Sequence, residues 1–235
     1  MNHIFQKISF AVTYLAVACI AAPVMAQQAN DNRSVLVTSG GADASTEKKA
    51  AEWTASLQLT DAAKAKRVQD AITVHLVAVR DWHNSHPFTL TPAGINPATG
   101  NKLSDMDRQI IVCSSKPAAV HDSLMKTLKT ELDTAQTEAI LDKYTIGKVA
   151  FTLKGYQAIV PDLTAKEEAE IVKNLKQARE QAIDYKSIKE VSAIFEIYKT
   201  KCEQYLNNNG RNWRQLFKDY TDKIKAQKAA AKNNP

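Results

Sequence analysis

The chain has little glycine, proline or cysteine: seven, seven and three residues among 235. Those counts exclude a collagen-like repeat, a linker protein and a disulfide-stapled miniprotein. No GxGxxG, P-loop, CxxC, HExxH or GxSxG pattern occurs. The usual sequence support for dinucleotide binding, nucleotide hydrolysis, zinc-peptidase and serine-hydrolase chemistry is therefore missing, and no motif calls for a cofactor. Long apolar runs are also missing beyond the first segment, so nothing later approaches the roughly 20 residues of a membrane-spanning helix.

What is present is an ordinary globular balance, 44% apolar and 24% charged. Lys7 precedes an apolar run of about 15 residues, Ile8 to Ala22, and Val24-Met25-Ala26 supplies a small-x-small cleavage site. That combination predicts a secretory signal peptide cleaved near Ala26, and a periplasmic or extracellular protein with no transmembrane segment after cleavage. A lipoprotein reading at Cys19 competes with it but lacks the usual Leu ahead of the cysteine. Removing Lys7 leaves 30 basic against 25 acidic residues, a net +5. Lys223, Lys225, Lys228 and Lys232 carry part of that excess. Nucleic acid is not an expected partner outside the cytoplasm, whereas an anionic polysaccharide or membrane surface would feel the same field. The expected organisation is a signal peptide over 1–26, a tether over 27–44, one helical domain over 45–228 and a frayed basic tail over 229–235.

Apolar spacing predicts an all-α fold, an irregular bundle of about six to eight helices with one long loop after the second. A first helix spans about Ser45 to Ser56. A second, with Thr60 as N-cap, buries Val68, Ile72, Leu76 and Val79 and ends near His86, ahead of Pro87. Residues 87–103 form the long loop. Ser104 caps a short helix through Ile110-Ile111-Val112, a β-branched run equally suited to a strand. Pro117 opens a helix with core positions Val120, Leu124, Leu128 and Leu132, and Asp133 with Gln136 opens the next, which Gly147 ends. Val149 to Val160 is mixed, with a short helix around Leu153, Tyr156 and Ile159. Thr164 and Glu167 have capping-box spacing ahead of the stripe Ile171, Leu175, Ala178 and Ala182. Ile188, Val191, Phe195, Tyr198, Cys202 and Tyr205 form a heptad-like seam, which suits an intramolecular bundle or a dimer, the former being expected. The last helix, capped by Asn212, is expected to bury Trp213, Leu216, Phe217, Tyr220 and Ile224.

Cys113 and Cys202 remain after cleavage, and an even pair in an exported protein is compatible with one disulfide, which would contribute up to roughly 4–5 kcal/mol. Two reduced, buried thiols fit the same positions. The densest set of chemically versatile residues is Arg80, Asp81, Trp82, His83 and His86 at the end of the second helix, with His121 as the remaining candidate. His75, Val79, Trp82 and His86 share an arc of roughly 60°. Asp81 points away from His83, and Asp122 away from His121, so any acid–base pair must be built between helices. His83 and His86, three apart, could share a metal ion with His121 or an acid. Trp82 could stack on a sugar ring.

Arg80-Asp81-Trp82-His83-Asn84, Asp107-Arg108-Gln109-Ile110-Ile111, Val120-His121-Asp122 and Pro161 with Leu163-Thr164, read together, resemble a family of exported bacterial proteins catalogued as a domain of unknown function. The likeness covers about residue 50 to the last helix. That family often accompanies polysaccharide-utilisation systems, so the resemblance implies a process and no catalytic residue. Leu59-Thr60, Leu132-Asp133 with Gln136, and Leu163-Thr164 with Glu167 also resemble the LTxxQ motif of helical periplasmic chaperones. Three functions follow as expectations: a binding or accessory protein, with its site where the loop covers the end of the second helix; a polysaccharide-active enzyme with His83 or His121 as general base and Arg80 neutralising a carboxylate; and a periplasmic chaperone with an exposed apolar cradle.

Overall fold

The computed structural model describes residues 41–97 and 99–232. The segment expected to be a signal peptide, most of the expected tether and the last three residues of the expected tail lie outside these.

Side chains that accept backbone N–H groups set most helix starts. Asp43 caps α1 (Ala44–Ala55) by accepting from Thr46 N at 2.7 Å. Asp61, and not Thr60, caps α2 (Ala62–Ser85) through Lys64 N at 3.0 Å. A carboxylate one residue closer to the helix meets the positive N-terminal dipole more strongly than a hydroxyl does. After a 3-10 turn, Phe88–Leu90, the loop is pinched by one antiparallel bridge, Ile95 to Lys102. Ser104 and Asp107 form a reciprocal capping box that opens α3 (Asp105–Ser114), so the β-branched run is helical.

Then follow α4 (Ala118–Glu131) and α5 (Thr134–Tyr144), the latter behind the Asp133–Gln136 box. Gly147, at φ 68°, lets the chain reverse into α6 (Lys148–Ile159), and its N–H bonds the Asp142 carbonyl at 2.9 Å. Boxes at Thr164–Glu167 and Ser187–Glu190 open α7 (Ala165–Ala182) and α8 (Ile188–Asn208), and Asn212 caps α9 (Trp213–Lys232). Both ambiguous segments are helices, giving nine α-helices among the described residues. None of these is long and apolar enough to cross a membrane.

Two large apolar cores result, with a small third cluster of Ala78, Val79 and Val120 between α2 and α4. One joins α6, α7 and α8 through Tyr156, Ile171, Leu175, Ile194, Phe195 and Leu206. The other joins α1, α2, α4 and α5 through Ala50, Val68, Ile72, Leu124, Leu128 and Ile140. Each fully buried Leu, Ile or Phe contributes about 1.5–3 kcal/mol. The α7–α8 turn serves both cores: Ile183 enters the second and Tyr185 the first.

Two expectations change, and of the two readings of the cysteines the disulfide is ruled out. Ile188 is 50% exposed, and Ile194 and Leu206 replace it and Tyr205 in the core. A straight helix drifts about 20° per heptad from a strict seven-residue repeat, so a seam drawn at 3.5 residues per turn leaves the core at its ends. The last helix is half-covered: Trp213 packs on Tyr156, 5.1 Å between centroids, but Phe217 is 48% exposed and Leu216, Tyr220 and Ile224 are not fully buried. Among the described residues, α6 and α8 are its main packing partners. The cysteines are both free and buried. Cys113 faces Glu190, and Cys202 lies about 18 Å further along α8 at the rise of an α-helix, beyond disulfide reach.

Candidate functional site

Between Ile183 and Tyr185, which enter different cores, stands Asp184. His75 of α2 donates Nε2–H to its Oδ1 at 2.9 Å, and His121 of α4 donates Nδ1–H to its Oδ2 at 3.0 Å. Lys116, at the α3–α4 junction, donates Nζ to the Asp184 carbonyl at 3.1 Å and lies 3.5 Å from Oδ1; its side chain is 6% exposed. Burial alone would push the Asp184 carboxyl up, yet the bonds from His121 and His75 and the Lys116 charge hold it well below the usual carboxylate range.

The partners respond in different directions. Burial pushes the His75 imidazole down against the pull of Asp184, which disfavours its charged form. Its Nδ1 has no hydrogen-bond partner among the described residues, as suits a ring with its one proton on Nε2. The hydrogen bond to Asp184 pushes His121 up, and burial pulls the Lys116 ammonium down.

His121 lines a cleft of about 470 Å³, together with Asp122, Gln177, Glu180, Gln181 and Tyr198. Cys113, Lys116, Asp184 and Tyr185 complete its inner wall. With Nδ1 donating to the carboxylate, His121 Nε2 is the ring nitrogen turned toward Glu180, 3.8 Å away. An oriented imidazole of this kind can accept a proton from a bound hydroxyl.

A second cluster adjoins it through Cys113. His83 Nδ1 donates to Glu190 Oε1 at 3.0 Å; Cys113 Sγ lies 3.5 Å from the same oxygen and 3.9 Å from the same nitrogen. Glu190 is buried, and its Oε2 accepts Ser187 N at 2.8 Å. The three side chains present one ligand atom each within 4.8 Å of one another. Burial pushes the Cys113 thiol up, so it is protonated when nothing else binds it. Because thiol and carboxylate approach the same imidazole nitrogen, the set is not a nucleophile–base–acid relay.

The structure disperses the residues singled out from sequence. Arg80 donates Nε to Asp81 at 2.7 Å and reaches Asp43 at 2.9 Å and the Gly41 carbonyl, tying α2 to the α1 cap. Trp82 donates its indole N–H to the Val112 carbonyl at 3.3 Å, and His86 covers one of its faces, 3.7 Å between centroids. His86 Nδ1 approaches the Trp82 carbonyl at 2.9 Å. His83 and His86 therefore do not converge, and Arg80 faces neither His83 nor His121. No described residue of the loop lines the cleft; Arg108 holds the loop on α3 through the Thr91 carbonyl and the Phe88 ring. As expected, each histidine–carboxylate pair among the described residues joins different elements.

Sequence reading missed Asp184, Lys116 and Glu190. Ser187 and Glu190 carry a readable capping-box spacing, and Asp184 stands between two large apolar residues in a tight helix connection. Neither signal shows which helices converge there.

A family described as protein of unknown function (DUF3826) matches residues 43–226, from the α1 cap into α9. No curated protein matches the chain. The capping boxes, the Asp184 cluster and the Cys113 cluster all lie inside the matched span, and the chain belongs to the DUF3826 family.

Proposed function

We propose that this protein is an exported accessory protein that binds a hydroxyl-rich, saccharide-type ligand in the cleft above Asp184, in the service of polysaccharide utilisation. The carrying observation is the make-up of that cleft. The carboxylates Asp122 and Glu180, the amides Gln177 and Gln181, the Tyr198 ring and an oriented His121 surround about 470 Å³. Acceptors, amide donors and an aromatic ring are what vicinal hydroxyls and a sugar ring require; Lys201 Nζ lies over one face of Tyr198, 4.1 Å from its centroid, and leaves only the other for stacking. The two rim carboxylates favour a neutral sugar over a uronate, whose own carboxylate they would repel. The leader ahead of Ala26 supports export.

A second reading comes from the His121–Asp184 pair: a general base that deprotonates a ligand hydroxyl or water. Calorimetric titration with neutral and uronate oligosaccharides, beside product analysis on the same mixtures, tests both. Binding of a neutral oligosaccharide without turnover, weakened at least about tenfold in His121→Ala, is the result expected of an accessory protein. Turnover abolished in His121→Ala establishes the enzyme instead. Affinity unchanged in folded His121→Ala removes the cleft from consideration.

A further inference from the structure

We propose that His83, Cys113 and Glu190 form a three-ligand site for a borderline divalent cation, Zn2+ foremost, at the inner wall of the cleft. The three ligands come from α2, α3 and α8 and converge on a single point. A tetrahedral zinc, with Zn–S about 2.3 Å and Zn–N or Zn–O about 2.0–2.1 Å, separates its ligand atoms by about 3.3–3.6 Å. Here the separations are 3.0 Å for nitrogen to oxygen, 3.5 Å for sulfur to oxygen and 3.9 Å for sulfur to nitrogen. Shifts of about 0.4 Å or less, within reach of side-chain torsions, complete the tetrahedral spacing.

Charge balance favours the ion. One thiolate and one carboxylate neutralise a divalent cation, so the loaded site carries no net charge into a region where Glu190 is 1% exposed. Binding takes the proton from Cys113 Sγ, which leaves to solvent, and moves the His83 proton from Nδ1 to Nε2. The partly exposed His83 ring, with 25% of its side chain accessible, permits that exchange. One proton is released per ion. Supporting groups are already in place: Ser187 N fixes Glu190 Oε2 at 2.8 Å, and Gln109 Nε2 donates to Cys113 Sγ at 3.2 Å and to the His86 carbonyl at 3.1 Å. A soft sulfur with one imidazole and one carboxylate selects Zn2+ or Co2+ over Mg2+ and Ca2+, which require oxygen ligands. Three protein ligands leave a fourth position for water or for a group of the molecule in the cleft, since Cys113 lines both.

The proposal does not depend on saccharide binding, and its test uses metal alone. Reduced full-length protein without its leader is titrated with Co2+, and the thiolate-to-cobalt charge-transfer band is followed by absorbance. The band is expected to saturate at one ion per chain and to be displaced by Zn2+. It should vanish in Cys113→Ser, persist in Cys202→Ser, and require about 100-fold more Co2+ in Glu190→Gln or His83→Gln. No band in folded wild-type protein at saturating Co2+ overturns the site. A band that follows Cys202 does the same. Either failure leaves the oligosaccharide titration unaffected, and a failed oligosaccharide titration leaves the cobalt result standing.

Discussion

Glu167 and Glu190 hold the same position in two capping boxes, one opening α7 and the other α8. Each passes one carboxylate oxygen back to the N–H of its N-cap residue, at 2.9 Å for Thr164 and 2.8 Å for Ser187. Both side chains are buried. What meets them differs. Arg211 donates Nε and Nη2 to the two oxygens of Glu167, each at 2.9 Å, and also holds Asp162. Glu190 instead meets an imidazole and a thiol. A guanidinium fills a carboxylate with fixed, permanently charged donors and leaves it nothing to exchange. An imidazole and a thiol can give up the protons that face the carboxylate. One box is a clasp, and the other is a clasp with replaceable protons.

The sharpest way to break this comparison is to remove the guanidinium. Arg211→Met leaves Glu167 buried with only its cap bonds and should destabilise the protein by about 2 kcal/mol in denaturant titration. It should leave the Co2+ band untouched. A loss of the band would show that the two boxes are coupled, and a negligible stability change would show that Arg211 is no clasp.

Acid titration sharpens the contrast next. The bonds from Arg211 and the Thr164 N–H bring the Glu167 carboxyl down to about 2. A lowered carboxyl contributes stability above its unfolded value of about 4.3, and that contribution is lost as pH falls toward the folded value. Thermal melts from pH 5 to 2 should therefore fall less steeply in Glu167→Gln than in wild type. Asp184, also held low, keeps the slope from disappearing. His121 acts with the opposite sign. Its folded value lies above about 6.5, so its contribution is complete below that pH and fades as pH rises through the folded value. His121→Gln should remove that alkaline decline. An unchanged slope would mean that the Asp184 bond does not favour the charged ring.

The smallest effects test the caps themselves. Thr164→Ala and Ser187→Ala should each cost about 1 kcal/mol, since both remove the same hydroxyl acceptor. The backbone N–H that holds each glutamate survives, so Ser187→Ala should retain cobalt binding. Unequal costs, measured by denaturant titration, would show that Glu190 depends on its cap more than Glu167 does.

The legible part of this protein follows from local physics. Thr164 with Glu167 and Asp133 with Gln136 satisfy N–H groups within three residues, so spacing alone reveals them. Ile171, Leu175, Ala178 and Ala182 repeat at helical spacing, and all four are fully buried. The site is a different matter. His83 was visible as a versatile residue, but its partners lie 30 and 107 positions away. Asp184 sits in a turn, where an acid is ordinarily solvated, and only the meeting of two cores at Ile183 and Tyr185 carries it inward.

By itself, then, the sequence determined the helices, several of their caps and most of the faces they bury, because capping and amphipathic spacing act within a few residues, while the α8 seam and the α9 face were settled by packing. Tertiary structure decided which buried carboxylate received an arginine and which received a histidine and a thiol. It also decided where the cleft opens. Those outcomes depend on which helices meet across 30 or more residues of chain, and no local spacing encodes that.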